Sequence, residues 1–286
     1  MRQDYSRTAE AMALVRAIEQ ARPAASRIID DPYAAAFLQN RYYRWLARTR
    51  AGARLLRGFL DHWAPGGQEF LTMRPRLVDD LAAELSGAGL EQIVVLGAGF
   101  DTLPWRLGGA PGRVTVYEVD HPATQAVKRA GAERLGAPPN LRLVAADFER
   151  EDFAKKLRGA GFAPARRSLV VWLGVSYYLT PAAAGRALDQ IAGLGGPGMR
   201  LVWDYLLAEV AAGTSANQDA LGKARRAARL GEPWLFGLEP AGLGDYLAAH
   251  GFRLLRDYDA DELRARYAPT RRRPLDYVRL VDCERE

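Results

Sequence analysis

Glycines and carboxylates recur where the apolar runs of this sequence end. "QIVVLGAGFDT" carries an apolar run into the Gly97-Ala98-Gly99 turn, with Asp101 and Thr102 next. Glycine lets a backbone turn sharply and approach a ligand closely, and Asp or Thr at such a place can cap a helix. "YEVDHP" puts Glu118 and Asp120 at the next run's end. Two residues apart on a strand, they share a face. A carboxylate there can hydrogen-bond ribose hydroxyls, and Asp120 lies nearer the end. "AADFE" offers Asp147 as an acceptor for an adenine amino group, with Phe148 lining the ring. A fourth end, "WLGVSYYLTP", brings Gly174 with Tyr177 and Tyr178 as cleft walls. Each feature has a plainer alternative: a tight turn, an acid capping the helix at Pro122 or the one near 150, and aromatics of the core.

Together these residues describe a nucleoside site with no phosphate cradle. A dinucleotide fingerprint wants a third glycine, and Thr102 stands in its place. Phe100 and Asp101 would put bulk and negative charge where a pyrophosphate lies. S-adenosylmethionine fits, its tail over the Gly97–Gly99 turn. The tail carboxylate calls for an arginine, and Arg74 and Arg76 are placed to supply one. No residue stands out as catalytic. His121 is a candidate base with a helix-start role as its alternative, and Tyr177, Tyr178 and Tyr205 could shape an acceptor pocket.

Such a site needs strands whose ends converge. Residues 92–98, 113–120, 141–148, 168–175, 199–206, 252–258 and 275–282 read as strands, with helices at 122–135, 150–158, 181–194 and 240–250. That alternation predicts a parallel, doubly wound α/β sheet. The first and fourth strands are nearly all apolar, as for central strands; the last two alternate and carry charge, which suits the sheet edge. Ahead of the sheet, residues 7–21, 30–38, 41–60 and 74–86 read as helices. The organisation expected is one domain, 1–286: an N-terminal helical cap (1–90), a cofactor-binding core (91–206), a helical lid insertion (207–239) and the C-terminal part of the sheet (240–286).

Composition bounds the rest. The 286 residues are 49% hydrophobic and 26% charged, with one cysteine, Cys283, and scattered His62, His121 and His250. That excludes a disulfide framework and leaves no metal site to expect. No apolar run is long enough to span a membrane, and the N-terminus lacks a signal-peptide pattern, so a cytoplasmic location is expected. The net charge of +6 is concentrated in arginine-rich stretches such as 40–58, 223–229 and 271–273. These read as solvated helix faces; neither a nucleic-acid nor a membrane partner is expected. The oligomeric state is left open.

"TAEAMALVRAIE", "DPYAAAFL", "MRPRLVDD", "LGAGFDTLPWRL", "YEVDHPATQAVK", "ADFE", "WLGVSYYLTP" and "GEPWLFGLEPAGLGDYLAAHGF" occur in this order over about residues 7–282. Together they resemble the leucine carboxyl methyltransferase family, and most closely its bacterial S-adenosylmethionine-dependent branch, which includes polyketide O-methyltransferases. The resemblance implies a class I methyltransferase, Rossmann-like fold, with Arg74 on the methionine carboxylate and Gly97, Ala98 and Gly99 against the cofactor. It implies Asp120 on the ribose, and Asp147 with Phe148 on the adenine. Many members carry a glutamate where this chain has Leu173; the departure removes a polar contact to the cofactor amino group or the substrate, for which the backbone carbonyl there is the substitute. The implied activity is methylation of a carboxyl or hydroxyl oxygen of a small molecule. A nicotinamide-dependent oxidoreductase and a non-catalytic S-adenosylmethionine-binding relative are the alternatives.

Overall fold

A computed structural model describes residues 6–108, 114–147, 151–229, 231–268 and 274–286. Helices α1 (Arg7–Glu19), α2 (Arg41–Ala47), α3 (Arg50–Trp63) and α4 (Gly67–Gly87) precede strand β1 (Gln92–Leu96). Then come α5 (Leu103–Arg106), β2 (Thr115–Asp120), α6 (Pro122–Leu135), β3 (Leu141–Ala145), α7 (Phe153–Gly159), β4 (Ser168–Trp172), α8 (Pro181–Ala192) and β5 (Arg200–Leu207). The chain ends with α9 (Ala208–Ala211), α10 (Gln218–Arg229), β6 (Gly237–Leu238), α11 (Leu243–Ala249), β7 (Phe252–Tyr258), α12 (Ala260–Tyr267) and β8 (Val278–Arg285).

The sheet order is β3-β2-β1-β4-β5-β8-β7, with β6 pairing the end of β5. β1 to β5 run parallel, and β8 is antiparallel to both β5 and β7. The order reverses at β1, between β2 and β4, which makes the carboxyl ends of these strands the switch-point crevice. Period-two alternation assigns the two faces. Val94, Leu96, Val170 and Trp172 point toward α7, α8 and α11, and Ile93, Val95, Leu169 and Val171 toward α4. A third apolar cluster joins α1, α2 and α3 to Phe37, Phe100 and Trp105. Among the described residues no helix is long and apolar enough to cross a membrane.

Four expectations need correction. Residues 30–38 form only a 3-10 turn, Ala34–Phe37, because the buried Asp31 carboxylate takes the Tyr33 and Ala34 N–H groups and is held by Arg16 at 2.8 Å. The helix expected over 41–60 is two. Thr49 caps α3 by accepting from Gly52 N, and a Cβ on Gly52 would lie 2.5 Å from the Leu46 carbonyl oxygen, so glycine lets the two helices meet closely. The helix expected from residue 74 begins at Gly67, its buried face continuing through Phe70 and Met73 with Pro75 inside. The last strand is not an edge: β8 lies between β5 and β7, with Leu280, Val281 and Cys283 fully buried.

Candidate functional site

β1 stops at Leu96, and the N–H groups of Gly97 and Ala98 both donate to the Val119 carbonyl on β2, at 2.9 and 3.1 Å. Gly97 (φ 68°) and Gly99 (φ 52°) adopt the left-handed region that favours glycine. A Cβ on Gly97 would come within 2.5 Å of Val175, and one on Gly99 within 2.9 Å of Ala9 on α1. The turn is therefore threaded between the β4 tip and the first helix. Asp120 fastens it: one carboxylate oxygen accepts from Gly99 N at 2.5 Å, the other from His121 N at 2.6 Å. Burial raises the Asp120 pKa, against the pull of these two N–H groups. Glu118 shares its face but lies deeper, fully buried 2.9 Å from the Lys128 ammonium; burial pushes its carboxyl up to about 7 although Lys128 opposes this. Of the two acids, only Asp120 reaches the rim.

Phe100, expected to crowd the turn, points away into the cap, stacked on Phe37. Asp101 accepts from the Thr102 and Leu103 N–H groups where the chain enters α5, and is held by Arg106 at 3.1 Å. That Arg106 also grips Asp79, and Thr102 donates to Asp31 at 2.6 Å. His121 caps α6 by accepting from Ala123 N through Nδ1. Asp147 lies two residues beyond β3, its N–H donating to Glu151 at 2.8 Å. It is not the cap of α7, a role Asp152 fills. Phe148 lies outside the described residues.

Across the crevice, Leu173 follows β4, half-buried among apolar neighbours. The next residue, Gly174, donates its N–H to Asp204 at 2.7 Å. Asp204, fully buried on β5, also accepts from Arg74 Nη1 at 2.5 Å, and its main-chain carbonyl accepts from Ser176 Oγ. Arg74 rises from α4, with Nη2 3.5 Å from the Met12 sulfur and Nε buried without a hydrogen-bond partner among the described residues. Burial works against its charge, but Asp204 and the Tyr177 hydroxyl outweigh that and raise its pKa. Arg76, the other arginine considered, is paired with Asp80 and stacked on Tyr267 instead. Tyr205 is a core residue bonded to Asp257, not a pocket wall.

Residues 232–236 fold back onto this rim. The Leu235 and Phe236 N–H groups donate to the Tyr177 carbonyl at 2.7 and 3.4 Å, Trp234 packs its ring on Tyr177, and Glu232 accepts from Thr8 on α1 at 2.8 Å. Asp204 escaped the sequence reading. Its one signal was an acid inside the apolar run "MRLVWDYL".

The family model of leucine carboxyl methyltransferases matches residues 9–192. A Mycolicibacterium smegmatis protein, provisionally named an S-adenosyl-L-methionine-dependent methyltransferase, is 37% identical over 202 residues, covering 69% of this chain and 64% of its own length. A similarly named Mycolicibacterium paratuberculosis protein is 34% identical over 244 residues, covering 81% of this chain and 74% of its own. The chain therefore spans just under two thirds of the first relative and about three quarters of the second. Among solved structures, a provisionally named methyltransferase from Thermobifida fusca superposes with a TM-score of 0.60 at 17% identity, over 94% of this chain and 97% of that one, which establishes the shared fold. On the family match and the length of the mycobacterial alignments, the chain belongs to the leucine carboxyl methyltransferase family.

Proposed function

We propose that the chain is an S-adenosylmethionine-dependent O-methyltransferase acting on a carboxyl or hydroxyl oxygen of a small molecule. One observation carries the reading. Arg74 keeps a buried, unpartnered Nε beside Gly174, at the strand ends where the left-handed Gly97 and Gly99 form the turn after β1. An orphaned guanidinium N–H is costly unless something accepts from it, and a carboxylate is the natural acceptor. The mycobacterial relatives are named for the same cofactor.

In this reading Arg74 holds the methionine carboxylate and the Gly97-Ala98-Gly99 turn lies under the tail. Asp120 takes the ribose hydroxyls, Asp147 and Phe148 the adenine, and the Leu173 carbonyl contacts the amino group. The cofactor supplies a sulfonium methyl for in-line displacement, and the protein's task is alignment in a dry site. Residues 207–239 act as the lid that excludes water. Burial raises the pKa of both Tyr177 and Tyr178, so at neutral pH both phenols stay protonated and neither offers a phenolate base. His121 spends Nδ1 on its helix cap. A carboxylate acceptor, which arrives ionised and needs no base, suits these surroundings better than a phenol.

Titration calorimetry tests this. Wild type is expected to bind S-adenosylmethionine at about micromolar Kd and to ignore NADH, and Asp120→Ala is expected to weaken binding at least ~10-fold, the equivalent of about one charged hydrogen bond. Unchanged affinity in Asp120→Ala would reject the ribose assignment.

A further inference from the structure

Among the described residues, the large apolar side chains left in solvent gather, Leu235 apart, on one helical pair. Tyr42, Tyr43 and Trp45 (65% exposed) stand on α2, and Leu55 (68%), Phe59 (58%) and Trp63 (53%) on α3. The α3 residues recur every fourth position and so form one stripe. Soluble chains usually scatter such residues singly, and a contiguous set marks an interaction surface.

The charge is as unevenly placed as the apolar area. Residues 41–63 carry Arg41, Arg44, Arg48, Arg50, Arg54 and Arg57 against one acid, Asp61. The Arg226 guanidinium lies 4.9 Å over the Trp63 ring, which joins α10 to the same surface. α10 adds Lys223, Arg225, Arg226 and Arg229 against Asp219 alone. With the whole chain at a net +6, the net charge of these two segments exceeds that of the chain and leaves the remainder slightly acidic.

We propose that the α2–α3 hairpin and α10 dock the protein on an anionic lipid surface. An aromatic and aliphatic stripe flanked by arginines, almost free of acids, is the composition of a helix lying in a headgroup layer. Trp and Tyr rings rest at headgroup depth, Leu55 and Phe59 reach the acyl boundary, and the guanidiniums meet lipid phosphates. A second copy of the chain fits poorly, because a two-fold contact would set this positive patch against itself. The proposal departs from the expectation of no membrane partner, which rested on the lack of a spanning run. Lying on a bilayer needs none.

Co-sedimentation with vesicles tests it, with no cofactor present, so the result is independent of methyl transfer. The full chain is expected to pellet with phosphatidylglycerol–phosphatidylcholine vesicles at low salt, to be released as salt rises, and to stay soluble with phosphatidylcholine alone. Phe59→Ser/Trp63→Ser and Arg50→Glu/Arg54→Glu should each cut partitioning roughly tenfold, and Arg225→Glu/Arg229→Glu gives an independent variant on α10. Circular dichroism verifies that each is folded. The proposal is overturned by a chain that stays soluble with anionic vesicles at low salt. It is equally overturned if the Phe59→Ser/Trp63→Ser variant binds as wild type, which would reduce the effect to charge alone. Size-exclusion chromatography showing a dimer that these substitutions dissolve would overturn it in favour of a second copy.

Discussion

Arg74 and Asp204 lie 130 residues apart in sequence and meet at the centre of the crevice. Asp204 holds Arg74 Nη1 and the Gly174 N–H together, while Nη2 meets the Met12 sulfur and Nε has no hydrogen-bond partner among the described residues. Removing one member of a buried ion pair strands the other's charge, at about 3–5 kcal/mol, whereas replacing both by apolar residues is close to neutral. Urea unfolding should therefore show Asp204→Ala strongly destabilised and Arg74→Met/Asp204→Leu largely restored, while calorimetry finds S-adenosylmethionine binding lost in both. Restored binding in the double variant would free Arg74 of its assigned role. Glu118 makes a different prediction. Its folded pKa, about 7, lies above its ordinary 4.5. A raised carboxyl contributes stability below the ordinary value that is lost as pH rises through the folded one. Glu118→Gln should thus flatten the fall in stability between about pH 4.5 and pH 7, as followed by thermal melts. A profile parallel to wild type would refute the assignment.

At the scale of elements, the contact between Thr8 on α1 and Glu232 ties the N-terminal cap to residues 207–239 across the crevice mouth. Hydrogen–deuterium exchange should show faster exchange at 232–236 and at the start of α1 in Glu232→Ala, with the β1 and β4 amides unchanged; protection equal to wild type would show that the ring packing of Trp234 alone holds the segment. β1 and β4 were legible because each is a short, nearly continuous apolar run followed closely by glycine, the pattern of a central strand buried on both faces. Gly97, Gly99 and Asp120 were legible for the same reason, since strand ends fix where they lie. What local pattern could not reveal depends on distant partners. Asp31 stops a helix because Arg16 and Thr102 hold it, Phe100 turns from the site because Phe37 receives it, and Asp204 acquires a role only through Arg74.

Across the whole molecule, two surfaces divide the work. The strand ends lie beside α1 and residues 232–236, with Asp120, Asp204 and Arg74 each bonded within the protein and Arg74 Nε left without a partner among the described residues. Residues 41–63 and α10 carry a net positive excess, and α2 and α3 carry the exposed Tyr42, Tyr43, Trp45, Phe59 and Trp63. The central claim is that the β1–β2 rim and the Arg74 edge grip opposite ends of one nucleoside. A crystal structure with S-adenosylhomocysteine tests it most directly. The account predicts ribose hydroxyls within hydrogen-bonding distance of the Asp120 carboxylate and the amino acid carboxylate on Arg74 Nε. A ligand seated elsewhere, or one whose sugar faces solvent while Asp120 keeps only its main-chain partners, would contradict it.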